Sequence, residues 1–123
     1  MWKLFCNKEN MRTFINALRC GGYEQGFGRL THTEELPRAL WQSLLGIKPV
    51  KTTYCALGVA YHLANQSRGR TGLSTSMTLC RWLGVGNGKD IPLNAPYYSV
   101  IYANDQLKAS FEEIADALEE MYL

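Results

Sequence analysis

Residues 48–66, KPVKTTYCALGVAYHLANQ, decide which architectures are open to this chain. The second half of the stretch is apolar on nearly every side of a helix, and such a helix is stable only when other elements surround it. We therefore predict a central, buried helix, capped at its N-terminus by Thr52 or Thr53. The remaining elements must then form a layer around it.

The first and last helices of that layer have clear start signals. Asn7 can cap a helix with an apolar face of period 3.6, and Gly21 and Gly22 can end it. Ser110 and Glu113 have the spacing of a capping box for the last helix. The two apolar faces comprise Met11, Phe14, Ile15 and Leu18, and then Phe111, Ile114, Ala115, Leu118 and either Met121 or Tyr122. We expect the last helix to pack against the central one, with its five acidic residues forming a solvated face.

The intervening segments are less regular. A helix is predicted from about Pro37 to Gly46, and another that begins at Ser74 or Ser76 and ends at Gly84. The stretch QGFGRLTH, residues 25–32, fits a short strand or an extended loop, and YYSVIYAND, residues 97–105, leaves strand and helix open. The expected fold is a compact, mainly helical α+β domain that spans residues 1–123 and has at most a small sheet.

Composition excludes several classes of protein. With 46% hydrophobic and 20% charged residues, and no apolar run long enough to span a bilayer, the chain is expected to be soluble and not a membrane protein. No secretion signal is evident at the N-terminus, so a cytoplasmic location is expected. The four cysteines include no CxxC pair, and we interpret them as reduced thiols.

Catalytic and metal-binding patterns are weak. The loop GVGNGKD, residues 84–90, lacks the hydroxyl residue and the following helix of a phosphate-binding P-loop. Cys55 and His62 share a helix face but stand about 10 Å apart along it, so they are better interpreted as core residues than as a nucleophile and its base. An enzyme is therefore disfavoured, and no cofactor or metal is expected.

Charge and one glycine-rich stretch point to a bound anion. Residues 1–109 hold all 13 lysines and arginines but only six of the 11 acids, a surplus of seven positive charges. Within GGYEQGFGRL, residues 21–30, Tyr23 and Phe27 can stack on a base and Arg29 can pair with phosphate. A glycine-rich turn whose aromatic residues cover the core is the structural alternative. The predicted ligand-binding residues are Arg19, Tyr23, Gln25, Phe27, Arg29 and Tyr54.

Three stretches of the chain carry a further pattern. They are ALRCGGYEQGFGRL, YCALGVAYHLA and ANDQLKASFEEIADALEE. In order and spacing they resemble a family of small bacteriophage and prophage proteins. The matching residues are Ala17, Leu18, Arg19 and Gly21; Tyr23, Gln25 and Gly26; Tyr54, Cys55, Leu57, Gly58 and Val59; Asn104 and Asp105; and Ser110, Phe111, Ile114, Ala115 and Asp116. Ala56 stands where that family has a second cysteine, and residues 31–50 form a longer segment than the family's turn.

The resemblance implies a phage origin and no particular activity. Small phage proteins without catalytic motifs often act by binding, and many oppose host defence. The leading hypothesis is a non-enzymatic protein that sequesters a small nucleotide-derived anionic signal in the cytoplasm of the infected host. The alternatives are a direct protein–protein inhibitor of a host defence complex, resembling an anti-CRISPR protein, and a small DNA-binding regulator. The last is disfavoured because ASFEEIADALEE is followed by no recognition helix. A homo-oligomer is left open.

Overall fold

A computed structural model describes residues 5–67, 81–85 and 90–123. Its elements are α1 (Lys8–Cys20), β1 (Thr31–Glu35), α2 (Leu40–Leu44), β2 (Val50–Tyr54), α3 (Ala56–Ser67), a π-helix (Tyr102–Gln106) and α4 (Phe111–Tyr122). The prediction of a mainly helical α+β fold with a small sheet is confirmed. Most of the helix predicted to start at Ser74 or Ser76 lies outside the described residues, of which 81–83 are helical.

The predicted caps of α1 and α4 are confirmed. The Asn7 side chain accepts a hydrogen bond from the Asn10 N–H (3.0 Å) at the start of α1. At the start of α4 the Ser110 hydroxyl accepts from the Glu113 N–H, and the Glu113 carboxylate accepts from the Ser110 N–H, each over 3.1 Å. The predicted apolar faces of both helices are buried, and at the end of α4 the buried residue is Tyr122.

The main packing partner of α4 is α1, and not the central helix against which the sequence predicts that it packs. The apolar faces of α1 and α4 are both regular, so they fit each other along their length. The central helix α3 packs on α1 and is buried at Ala56, Leu57, Val59, Ala60 and Ala64.

The prediction that Thr52 or Thr53 caps α3 was wrong, because both residues lie within strand β2, Val50–Tyr54. Its β-branched and aromatic residues favour an extended conformation. The helix begins at Ala56, and the Cys55 thiol takes the capping role by accepting from the Gly58 N–H over 3.3 Å.

Strands β1 and β2 form an antiparallel hairpin in which Thr31 pairs with Tyr54 and Glu35 with Val50. The short helix α2 lies at its tip. It is shorter than the predicted helix from Pro37 to Gly46, and its apolar residues are exposed, with Leu40 and Leu44 each 78% accessible. Short helices depend on tertiary packing for their stability. Because none of the α2 side chains is buried, this helix lacks the packing that would support a longer one.

Residues 97–105, for which the sequence leaves strand and helix open, are helical from Val100 onward, whereas Ser99 forms an isolated antiparallel bridge with Pro92. A helical turn at Val100 and Ile101 continues as the π-helix Tyr102–Gln106. This element buries Asn104 beside the start of α3. No helix in the described part of the chain is long and apolar enough to cross a membrane.

Candidate functional site

A cavity of about 430 Å³ lies between the β1–β2 hairpin and α3. The strands contribute Thr31, Thr52 and Tyr54, and the helix contributes Gly58, Tyr61, His62 and Asn65. Leu30, which immediately precedes β1, completes the described lining. Strand alternation explains the first group, since Thr31 pairs with Tyr54 and Thr33 with Thr52, so that these side chains share one face of the sheet. Helical spacing explains the second, because residues 58, 61, 62 and 65 follow one side of α3.

An aromatic cluster forms one wall of the cavity. The Tyr23 hydroxyl lies 2.6 Å from His62 Nδ1, and its ring meets the Tyr54 ring edge-on at a centroid distance of 5.0 Å. The Tyr54 and His62 rings are 5.7 Å apart. Partial burial raises the pKa of Tyr23, with a smaller contribution from Tyr54. Tyr23 therefore supports the two cavity-lining rings from behind and holds the imidazole in one orientation.

The chain entering β1 approaches α3 closely at two residues that line the cavity, Leu30 and Gly58. A Cβ atom added at Gly58 would lie 1.8 Å from the Leu30 carbonyl oxygen. That carbonyl also accepts the Cys55 N–H over 3.2 Å. Only glycine permits this approach, so Gly58 sets the distance between the two walls.

Gln25, predicted as a ligand-binding residue, belongs to a hydrogen-bond network centred on Asn104. Asn104 is fully buried. Its side-chain oxygen accepts from Gln25 Nε2 (2.9 Å) and from the Ala56 N–H (3.1 Å). Its amide nitrogen donates to the Gly26 carbonyl (2.9 Å) and to the Asp105 carboxylate (2.8 Å). The network therefore joins residues 25–26, the start of α3 and the π-helix.

Arg19, the second predicted ligand-binding residue, lies between α1 and α4. Its guanidinium forms ion pairs with Glu112 (3.4 Å), Asp116 (2.5 Å) and Glu119 (2.7 Å). The hydrogen bonds to Glu119 and Asp116 raise the pKa of Arg19 further above its ordinary value. The acidic face of α4, predicted to be merely solvated, therefore has this arginine at its centre.

Phe27 and Arg29 are exposed and lie outside the cavity lining. The Lys108 ammonium lies over the Phe27 ring, 4.4 Å from the ring centroid. Arg29 Nη1 lies 3.2 Å from His32 Nδ1, and His32 alternates with the cavity residue Thr31 along β1. Of the six predicted residues, the structure thus brings together Tyr54 and Tyr23 at the cavity.

Sequence reasoning missed most of the cavity. Thr31, Thr52, Tyr61 and Asn65 carried no motif, and His62 was considered only as a partner of Cys55. The alternation of Thr31 and Thr33, mirrored by Thr52 and Tyr54, was the signal that could have identified the hairpin face. Cys55 is buried, and burial raises the pKa of its thiol, so the neutral thiol persists at neutral pH.

Two other features of the described residues are less suited to an anion. A cleft of about 240 Å³ beside α4 is lined by Glu113, Asp116 and Glu120, whose carboxylates repel negative charge. Within residues 5–67, 81–85 and 90–123, no three His, Cys, Asp or Glu side chains are grouped as metal ligands.

No family model, curated protein or solved structure matches the chain.

Proposed function

We propose that this chain is a non-enzymatic binding protein of phage origin that holds a small nucleotide-derived ligand in the cavity between the hairpin and α3. By sequestering that ligand in the cytoplasm of the infected host, it antagonises a defence pathway. The observation that carries the proposal is the set of aromatic side chains that line the cavity, Tyr54, Tyr61 and His62. The phage origin rests on the sequence resemblance alone.

Size and shape support a small-molecule ligand. A volume of about 430 Å³ falls in the range of ordinary ligand sites, which begins at roughly 300 Å³. Stacking of one base on an aromatic side chain is worth about 1–3 kcal/mol. Two tyrosines and a histidine around one cavity therefore favour a planar ring over an aliphatic ligand.

The polar groups of the lining support a base in particular. Thr31, Thr52 and Asn65 bring hydroxyl and amide groups, which match the neutral donors and acceptors on the edge of a base. None of the described residues that line the cavity is Lys, Arg, Asp or Glu, so a phosphate is expected to stay outside, in the positive field of residues 1–109. Arg29 contacts His32 and is left out of the proposed site.

Binding without turnover is supported by the state of Cys55, the cysteine that adjoins the cavity residue Tyr54 in the chain. The Cys55 thiol is buried and accepts the Gly58 N–H, while His62 Nδ1 is occupied by the Tyr23 hydroxyl. A thiolate and a general base in contact are what nucleophilic catalysis requires. The ligand should therefore be released chemically unchanged.

The test is capture from a mixture of cellular nucleotides. The folded protein is incubated with extracted nucleotides, desalted and denatured, and the released material is identified by mass spectrometry. We expect one intact nucleotide-like compound from the parent protein and from Tyr102→Ala, and little from Tyr61→Ala or Tyr54→Ala. Tyr102 is a matched control because it is an exposed tyrosine outside the cavity.

Three results would contradict the proposal. A cleaved product would make the protein an enzyme. Empty protein that co-purifies with a host polypeptide would favour the direct inhibitor. Equal capture by a folded Tyr61→Ala variant would move the site elsewhere, and thermal melts of each variant establish that it is folded.

A further inference from the structure

Strand β1 presents an open edge to solvent. Within the described ranges, β1 is hydrogen-bonded only to β2, and all five of its residues are exposed. Open edges of this kind are templates for pairing with another strand, and natural proteins usually protect them.

The backbone groups on that edge follow from the register. Leu36 donates its N–H to the Pro49 carbonyl, and the Leu30 carbonyl accepts from the Cys55 N–H. Hydrogen-bonded positions alternate in an antiparallel pair, so residues 30, 32, 34 and 36 bond toward β2. Thr31, Thr33 and Glu35 therefore direct their N–H and C=O groups outward.

We propose that β1 pairs with β1 of a second copy of this chain, antiparallel and centred on Thr33, to form a symmetric dimer with a continuous four-stranded sheet. In this arrangement Thr33 faces Thr33, and Thr31 faces Glu35 of the second copy. These are the outward-directed residues, so each of those pairs exchanges two backbone hydrogen bonds. A contact of this type is isologous and closes after two chains.

The charges of β1 are complementary in this register. His32 faces Glu34 of the second copy, and the Arg29 guanidinium adjoins His32 at 3.2 Å. Each half of the interface therefore sets a cation against a carboxylate. Opposite charges across neighbouring strands stabilise a pair, whereas like charges destabilise it.

Neighbouring registers lack this complementarity. Sliding one copy by two residues keeps the outward-directed groups paired, but in one direction Glu34 then faces Glu34. In the other direction His32 and the adjoining Arg29 face His32 and Arg29 of the second copy. The charge pattern THTEE therefore selects the register centred on Thr33.

The same dimer accounts for the exposed apolar tip of the hairpin. Antiparallel alignment places the Glu35 end of each β1, and the α2 that follows it, beside the Thr31 end of the other copy, where its α3 begins. This places α2 near the second copy, and two of its apolar side chains, Leu40 and Trp41, are 78% and 58% exposed in the single chain.

The first measurement is the mass in solution by light scattering during size-exclusion chromatography, over a dilution series. We expect about twice the 13.9 kDa of one chain, with dissociation on dilution. Thr33→Pro removes an outward N–H without touching the β1–β2 ladder and should yield a folded monomer. Thr33→Val keeps the N–H and should remain dimeric.

The second measurement is charge complementation. Arg29→Glu and Glu34→Arg should each weaken self-association by about tenfold or more, because each sets like charges opposite one another. An equimolar mixture of the two variants should recover the dimer, since both halves of the mixed interface regain opposite charges. Arg12→Glu, on the exposed side of α1, is the control for charge change and should behave as the parent.

A parent protein that is monomeric at every concentration would overturn the proposal. So would a dimer that persists in Thr33→Pro, because its interface would lie elsewhere. Folded monomeric variants that fail to associate when mixed would overturn the charge-selected register.

Discussion

Asn104 is a buried polar side chain that joins several segments of the described part of the chain through hydrogen bonds. All four of its hydrogen bonds go to groups from other parts of the chain or to the adjoining Asp105. A buried amide is costly unless its donors and acceptors are satisfied, and here they are. Its role is therefore to hold residues 25–26 and the start of α3 in one relative position.

Replacing Asn104 with Ala should lower the free energy of unfolding by about 3 kcal/mol, because the Ala56 N–H and the Gly26 carbonyl lose their partners inside the protein. Urea denaturation measures this change. Asn16→Ala, on the exposed side of α1, should stay within about 0.5 kcal/mol of the parent. Equal stabilities for the two variants would show that the network contributes little.

Tyr122 gives the protein a weakness at high pH. Burial, with a smaller contribution from Cys6, raises the pKa of Tyr122 to about 12, and its hydroxyl donates to the Pro92 carbonyl over 2.7 Å. A raised pKa means that the folded state holds the proton more tightly than the unfolded state does. The stabilisation is thus complete below about pH 10 and is lost as the pH rises toward 12.

We therefore expect the ionisation of Tyr122 to lower the free energy of unfolding by about 2–3 kcal/mol between pH 10 and pH 12. Tyr122→Phe should be less stable than the parent at neutral pH, because the Pro92 carbonyl loses its donor, and should show a smaller alkaline fall. Chemical denaturation at several pH values tests both. Parallel curves for the two proteins would contradict the assignment to Tyr122.

Among the elements, helices with complete local signals could be predicted and the hairpin could not. Asn7, Ser110 and Glu113 cap α1 and α4 through neighbours three residues away, so the sequence alone contains the interaction. The pairing of Thr31 with Tyr54 spans a long segment and depends on where α3 begins. The threonines of β2 can either cap a helix or lie within a strand, and pairing with β1 favours the strand.

The junction of α1 and α4 depends on Arg19. Arg19→Ala should cost about 1–2 kcal/mol, since exposed ion pairs are worth little singly and more when one guanidinium serves three carboxylates. The loss should shrink at high salt, which screens exposed charges. Arg12→Ala on the same helix is the control, and a salt-independent loss equal for both would exclude the ion-pair explanation.

The contact between α3 and the chain entering β1 depends on Gly58. Gly58→Ala should destabilise the protein by about 3 kcal/mol or more, because the new methyl group would overlap the Leu30 carbonyl. Gly22→Ala meets no atom within 4 Å and should cost only the roughly 1–2 kcal/mol of its positive φ of 74°. Thermal melts of the two variants distinguish the cost of atomic overlap at Gly58 from the cost of backbone strain at Gly22.

For the whole molecule, the site could be predicted only in part. Tyr23 was found because an aromatic residue beside glycines is visible in the sequence, and Tyr54 was included as an expected neighbour of that stretch. Thr31 and Asn65 were not, because they reach the cavity only after the hairpin folds onto α3. Arg19 and Arg29 were expected to bind an anion from charge alone, and charge does not reveal that Arg19 already faces three carboxylates.

The position of Asn104 also bears on how fast the protein unfolds. Its partners Gln25, Gly26 and Ala56 lie 79, 78 and 48 residues away in the chain, so the network can close only after distant segments have met. We predict that this network closes only after the folding barrier has been crossed, because three separate segments must all be in place before Asn104 can bond to them. Asn104→Ala should therefore speed unfolding while leaving the folding rate nearly unchanged, which stopped-flow measurements in urea would resolve. Asn104 would then act chiefly by slowing unfolding, and so would set the lifetime of the folded state.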